Sequence, residues 1–380
     1  MKILLITLLI IANVACSQQA TLHTQSVLIT LDDMRPDDMR YMPRLQRLVN
    51  SKGVEVKKAF VTCPLCCPSR ASLMTGLMPS NNGVISNKSK LYLPTIFEII
   101  KQQKPEIKTG IIGKYLNTSD GEYKSEFDLW SVYRGGMIYD WDNFNQNING
   151  TWTNVREYVS DFYLKQAKEF VKSYENDPYL LYLHFTAPHF PFQSPKSFKF
   201  KCSQVQLPSD FNKIDPTSPN KFKELKLKDP KHTLRNICKR AKSMSYIDSI
   251  LPQFIKDLKT AGVSVIVISD NGFMVGDFRH YSKSLPYEQV IRSPMLTFNH
   301  GIKANRLTSF NDIVKEYYKL FGLTENVYVL DGKDFSTLRK RLIVEQLVPS
   351  EKKLPFKAIV SNKAIKVTYG TGEKQIIPLK

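Results

Sequence analysis

CPLCCPSRASLMTG, residues 63–76, holds three of the six cysteines of a 380-residue chain. A cysteine cluster beside Pro-Ser-Arg and a run of small, helix-compatible residues leaves open a metal knot, a disulfide hub or a nucleophile loop. Structural zinc is disfavoured, because it wants separated Cys or His pairs and no second pair with such spacing follows. Cys66 and Cys67 are adjacent, which also suits a shared metal poorly. The remaining arrangement puts one cysteine at the mouth of a helix beginning near Ser69, where free backbone N–H groups and the helix dipole favour an anion. Arg70 adds a planar cation there. Such a place suits a sulfate or phosphate group.

On either side of this stretch, short apolar runs end in polar residues. SVLITL, residues 26–31, reads as a buried first strand and runs into Asp32-Asp33. VSVIVIS, residues 263–269, reads as another and runs into Asp270-Asn271-Gly272. Ligands of open α/β sheets bind outside the carboxyl ends of the strands, and oxygen ligands of this kind suit calcium or magnesium. Taken singly, Asp-Asp after a strand is also a helix cap and Asp-Asn-Gly an ordinary turn. Between them, the run 108–112 leads into GKYLN, residues 113–117, and the strand 179–185 into TAPHFPF, where His189 stands between prolines. Helices are expected around Met42, Leu45 and Leu48, over 91–103, over 155–173, and over 235–261 with a kink or break at Pro252. The polar segment 193–233 reads as a long loop at the mouth of the site, and 357–379 as a hairpin about Gly370-Thr371-Gly372. The length suffices for one large α/β domain and a small appendage.

With these pieces in order, CCPSRASLMTG resembles the sulfatase signature: Cys-x-Pro-Ser-Arg, a short helix and Thr-Gly, in which the first cysteine is oxidised to formylglycine. Only Cys66 has Pro and Arg at the required offsets. GKYLN resembles the branch that includes N-acetylglucosamine-6-sulfatase and the heparan sulfatases. The resemblance implies an alkaline phosphatase-like α/β fold, with a large, mostly parallel central sheet flanked by helices. It places the catalytic domain at 24–323 and a small antiparallel C-terminal subdomain at 324–380. It implies one calcium ion held by Asp32, Asp33, Cys66, Asp270 and Asn271, and catalytic roles for Cys66, Arg70, Lys114, His189 and Lys283. The implied activity is hydrolysis of sulfate monoesters on a sulfated sugar or glycosaminoglycan of the glucosamine-6-sulfate type, after maturation by a formylglycine-generating enzyme. A phosphonate or phosphate monoester hydrolase of the same superfamily, and a sulfated-glycan-binding protein without turnover, are the alternatives. One departure stands out: the branch carries a histidine where this chain has Met274, and His280 lies a few residues downstream.

Residues 1–17 combine a lysine, an apolar run and small residues at 15 and 17, as a secretory signal peptide does. Cys16 offers lipid anchoring as an alternative, the one route by which the chain would meet a membrane. Export to an oxidising compartment would let Cys202 and Cys238 pair. Asn87, Asn117 and Asn149 each open a glycosylation sequon. The formal charge of +19 attracts anions, but the lysines are scattered and no basic element with interleaved aromatics argues for nucleic acid. Residues 123–153 are rich in aromatics, Asp and Asn, which suits either a sugar-facing insert or packing under a long loop.

Overall fold

The computed structural model describes residues 24–350 and 353–379; the signal-peptide and Cys16 expectations lie outside them. A nine-stranded sheet crosses the molecule in the order 54–55, 295–298, 264–269, 25–31, 179–185, 108–113, 129–132, 144–148, 151–155. The five strands from 264–269 to 129–132 are parallel, and both flanks are antiparallel. The sheet is therefore mixed, with a parallel centre.

The central strands are apolar on both faces because both are covered. Val27, Ile29 and Leu31 pack with Leu45, Val49, Ala241, Met244 and Leu251 on one side. Leu28 on the other face joins a core with Leu73, Met74, Ile313 and Val314. That second core runs into a four-stranded antiparallel sheet, Arg341–Gln346, Phe356–Ser361, Ala364–Tyr369 and Lys374–Pro378. Its inward residues Leu342, Val344, Val360 and Val367 belong to the same cluster. The expected hairpin is the outer half of this sheet.

Four helices differ from the expectation, one of them only at its start: the helix expected over 155–173 is Val159–Ser173, because Thr151–Val155 is the last strand of the large sheet. The signature helix spans Cys66–Thr75 and so begins before Ser69, with the Ser69 N–H closing its first turn onto the Leu65 carbonyl at 3.0 Å. Pro68 allows this, because in the first turn its missing N–H has no helical partner to lose. Gly76 ends it in the left-handed region (φ 73°), where a Cβ would meet Leu330 at 2.7 Å. The next helix is Ile96–Gln103, started by a Thr95/Glu98 capping box rather than at 91. The long helix runs unbroken from Pro230 to Thr260 through Pro252. Buried Ile247 and Leu251 before the proline, and Phe254, Ile255 and Leu258 after it, hold both halves on the core, and this packing outweighs one lost hydrogen bond. Asp248 on this helix caps another, Pro43–Lys52, accepting from the N–H groups of Arg44 (2.9 Å) and Leu45 (2.7 Å). The segment before it carries only a short turn of helix at Asn220–Lys223 and a 3-10 turn at Cys202–Gln204. A disulfide joins Cys202 to Cys238, Cα atoms 5.4 Å apart, tying that segment to the long helix.

Candidate active site

Sheet register assembles the site. Leu31 is level with Ser269 on one side and Phe185 on the other, so Asp32, Asp270 and Thr186 leave the sheet side by side. The Asp32 N–H donates to the Ala187 carbonyl at 3.0 Å and the Asp270 N–H to the Leu31 carbonyl at 3.3 Å. Gly113 is level with His184, at φ 95°, where a Cβ would come within 2.0 Å of the His184 carbonyl oxygen. Only glycine allows the chain to turn there and send Lys114 inward.

The residues named from the sequence form one connected cluster. Arg70 donates through Nε to Asp270 at 2.9 Å and lies 3.4 Å from Asp32. Lys114 Nζ is 2.7 Å from Asp32 Oδ2. Lys283 Nζ bridges Asp33 Oδ1 at 2.5 Å and Cys66 Sγ at 2.7 Å. Asn271 Nδ2 reaches Asp33 Oδ1 at 2.6 Å, and His189 Nε2 lies 3.5 Å from Asp33 Oδ2. Cys66 Sγ sits 3.7 Å from Asp32 Oδ1, at the first residue of its helix.

Every member except His189 is buried, so charges can persist only as a set. Burial by itself would raise the Asp32 carboxyl, but Lys114, with His189 and Arg70, outweighs it and holds the group down to about 2. Asp33 is lowered in the same way, burial being overcome by Lys283 and His189. Lys114 and Lys283 are both raised, their own burial outweighed by Asp32 and by Asp33 respectively. Burial pushes the Cys66 thiol up to about 12, with Lys114 and Lys283 offsetting only part of it. An unmodified Cys66 is therefore a protonated thiol at neutral pH and a poor nucleophile.

The donor set fits a hard divalent cation. Asp32, Asp33, Cys66 and His189 bring potential ligand atoms within 4.8 Å of one another. The Asn271 Oδ1 is buried without a hydrogen-bond partner, while its Nδ2 stands where an oxygen would join the carboxylates once a cation lay between them.

Sequence reasoning missed the residues that hold this cluster in place. Arg240, on the long helix, donates to the Asp33 carbonyl (2.9 Å), the Asp38 carboxylate (2.6 Å) and the Pro188 carbonyl (3.3 Å), between the rings of Phe192 and Phe273. It thus fixes Asp33, whose φ is 67°, together with the turn that carries His189. An arginine in an otherwise amphipathic helix carries no sequence signal for that. His184, inside the strand Tyr179–Phe185, sits with Nδ1 2.8 Å from the Arg70 guanidinium and 2.7 Å from the Lys114 carbonyl. Burial and Arg70 hold it neutral, its pKa lowered to about 3.

His280 does not stand in for the histidine missing at Met274. It is buried against Phe222 and Tyr287, and burial, reinforced by Lys353 and Lys228, lowers its pKa to about 3. Met274 itself is wholly buried in the apolar core and pairs with Ser282, in the small hairpin that presents Lys283. Cys63 and Cys67 are free and buried.

Comparison with known proteins shows the family and the fold. The chain is 27% identical over 319 residues to the extracellular sulfatase SULF-1 homolog of Drosophila melanogaster, covering 76% of this chain and 28% of the relative. It is 25% identical over 351 residues to N-acetylglucosamine-6-sulfatase of Homo sapiens, covering 80% and 62%. The chain thus spans less than two thirds of these relatives. BT4656, solved in complex with its substrate D-glucosamine-2-N,6-O-disulfate, superposes with a TM-score of 0.72 at 17% identity, covering 94% of this chain and 91% of that one. A phosphonate monoester hydrolase from Silicibacter pomeroyi reaches the same TM-score, 0.72, at 16% identity, over 94% and 88%, so the fold alone is shared across both chemistries. The sulfatase family model matches residues 25–323, from the first strand to the end of the helix behind the sheet, and the chain belongs to the sulfatase family.

Proposed function

We propose that this chain is an exported sulfatase that hydrolyses sulfate monoesters on a sulfated sugar, with formylglycine derived from Cys66 as nucleophile and one calcium ion. The observation that carries this is the setting of Cys66: the first residue of a buried helix, with Lys283 on its sulfur and an acidic pair beside it. The relatives' printed activities, an extracellular sulfatase and an N-acetylglucosamine-6-sulfatase, support the substrate class and the export.

Oxidised and hydrated, Cys66 would supply two hydroxyls on one carbon, one to attack sulfur and one whose deprotonation expels sulfate and restores the aldehyde. Calcium held by Asp32, Asp33, Asp270 and Asn271, beside Cys66, would supply charge withdrawal from the sulfuryl oxygens and acidify the attacking hydroxyl. Arg70, Lys114 and Lys283 balance the charges of Asp32, Asp33 and Asp270, so a bound dication leaves the site net positive toward a sulfate ester. Lys114 and Lys283 lie closest to the nucleophile's surroundings and stabilise oxygens gaining charge in the transition state. His189 is half-buried at the cleft, with Nδ1 on the Phe190 carbonyl at 2.8 Å; that contact turns Nε2 toward the site, 3.5 Å from Asp33 Oδ2, where it is placed to pass a proton to the leaving oxygen. With Cys66 only 1% exposed, the formylglycine-generating enzyme must act before the chain folds.

Sulfate release from sulfated glycosaminoglycan oligosaccharides, using protein produced with that enzyme, tests the proposal. Cys66→Ser should lose at least about 10³-fold in kcat, because a serine would be left as a stable sulfate ester. Full turnover by that variant, or an unmodified thiol in an active preparation by mass spectrometry, overturns it. Faster hydrolysis of nitrophenyl phosphate than nitrophenyl sulfate would point to the phosphoester chemistry instead. Glycan binding without any release by formylglycine-bearing protein would identify a binding protein.

A further inference from the structure

The cleft over the site, about 360 Å³, is lined by Asp33, His189 and Lys283, with Met137 on its wall. Met137 also lines a second and larger cleft, about 640 Å³, formed by the 133–140 loop and the hairpin Phe144–Ile148/Thr151–Val155. The two clefts therefore meet at one side chain.

The second cleft is lined by rings and side-chain amides, with Arg134 and Asp140 at its edge. Tyr139 is 68% exposed and Trp152 38% exposed, and the Arg134 guanidinium lies 5.5 Å over the Trp152 ring. Asn154 Nδ2 donates to Asn143 Oδ1 at 3.0 Å and to Asn145 Oδ1 at 3.1 Å, a row of amides along the hairpin face. Both rings line the same cleft as the amide row. A pyranose matches the combination: its C–H face covers a ring while its hydroxyls, each both donor and acceptor, meet amides. The wall between the clefts is also pinned. Gln193 donates to the Tyr139 carbonyl at 2.7 Å and accepts from the Trp141 N–H at 2.9 Å, fastening the segment after His189 to the loop that carries Met137.

We propose that the second cleft binds a sugar unit linked to the one that carries the scissile sulfate, so that the substrate is an oligosaccharide lying across Met137. This rests on the sulfatase reading of the first cleft. Its consequence is a length dependence: the added unit contributes binding that is equal in ground and transition states, and so lowers KM without changing kcat.

The test compares a 6-O-sulfated glucosamine monosaccharide with a glycosaminoglycan tetrasaccharide bearing the same sulfated unit, on full chain carrying formylglycine. The wild type should show the lower KM for the tetrasaccharide. Trp152→Ala and Asn154→Ala should each raise that KM about tenfold, leaving kcat and the monosaccharide KM unchanged. Equal KM values for the two substrates in the wild type, or an unchanged tetrasaccharide KM in both variants, overturns the proposal. Calorimetric titration with the desulfated tetrasaccharide reads the same cleft without turnover. Binding by the wild type that both variants weaken supports the proposal, and no binding, or equal binding by all three, overturns it. Length-dependent binding with no sulfate release from any substrate would defeat the hydrolysis reading alone.

Discussion

The carboxyl end of the parallel strands and the hairpin that extends the same sheet handle polarity in opposite ways. At the strand ends, Asp32, Asp33 and Asp270 are buried with Arg70, Lys114 and Lys283, and each charge is held by a neighbour of opposite sign. In the hairpin, the polar groups are neutral: Gln146 and Asn147 are buried on amide and hydroxyl bonds, and Asn143, Asn145 and Asn154 face outward. A single ion cannot be left unpaired in a low-dielectric interior, whereas an amide can be half-wetted at little cost. The first region is therefore an all-or-none assembly, and the second can be altered one residue at a time.

Breaking one member of the assembly gives the largest effect. Arg70→Met leaves Asp32 and Asp270 without their guanidinium and should cost about 3–5 kcal/mol of stability, measured by urea unfolding. Asn154→Ala in the hairpin should stay within about 0.5 kcal/mol. Similar losses in the two variants would erase the distinction.

A smaller effect is expected at the support of the assembly. Arg240→Met keeps the stem packed between Phe192 and Phe273 but removes the donors to Asp33, Asp38 and Pro188, at about 2–3 kcal/mol. Arg240→Lys should recover part of this but not the full set of donors. If Arg240 positions Asp33 and His189, the variants lower kcat with little change in KM; a purely structural role would move the melting temperature alone.

The smallest effect separates a paired buried charge from an unpaired buried titratable group. His280 has its pKa lowered to about 3 against an ordinary 6.5, so between those values the unfolded chain binds a proton that the folded chain does not. Stability from this source is complete above pH 6.5 and falls as pH drops toward 3, by at most about 1.4 kcal/mol per pH unit. His280→Phe, which suits the neighbouring Phe222 and Tyr287 rings, should flatten that dependence between pH 5 and 7. An unchanged slope would mean that the ring is protonated in the folded protein.

Much of the cluster was legible in the sequence because it stands where local pattern changes abruptly. Apolar strands that end in Asp-Asn or Asp-Asp, a glycine before Lys114 and a proline pair around His189 are short-range signals, and the strand Tyr179–Phe185 matches its expected limits. Helix limits were less legible. Pro252 reads locally as a break, yet buried residues on either side carry the helix through it, and the packing partners are distant in sequence. Arg240, Asp248 and His184 gave no local sign of their tasks, since each acts on backbone or side chains 52 or more positions away. Nor could spacing show that His280 turns into an aromatic nest rather than toward Lys283.

The sequence by itself determined the kinds of groups and the order in which the strands present them: a signature cysteine with its arginine, carboxylates after two strands, lysines after a third strand and a later loop. The tertiary structure alone decided that Leu31, Ser269 and Phe185 stand level, that Lys283 and not His280 reaches Cys66, and that Met137 lies between two clefts. The physical reason is that local composition governs strand and turn formation over a few residues. Register, burial and charge pairing depend on which distant segments exclude water from one another.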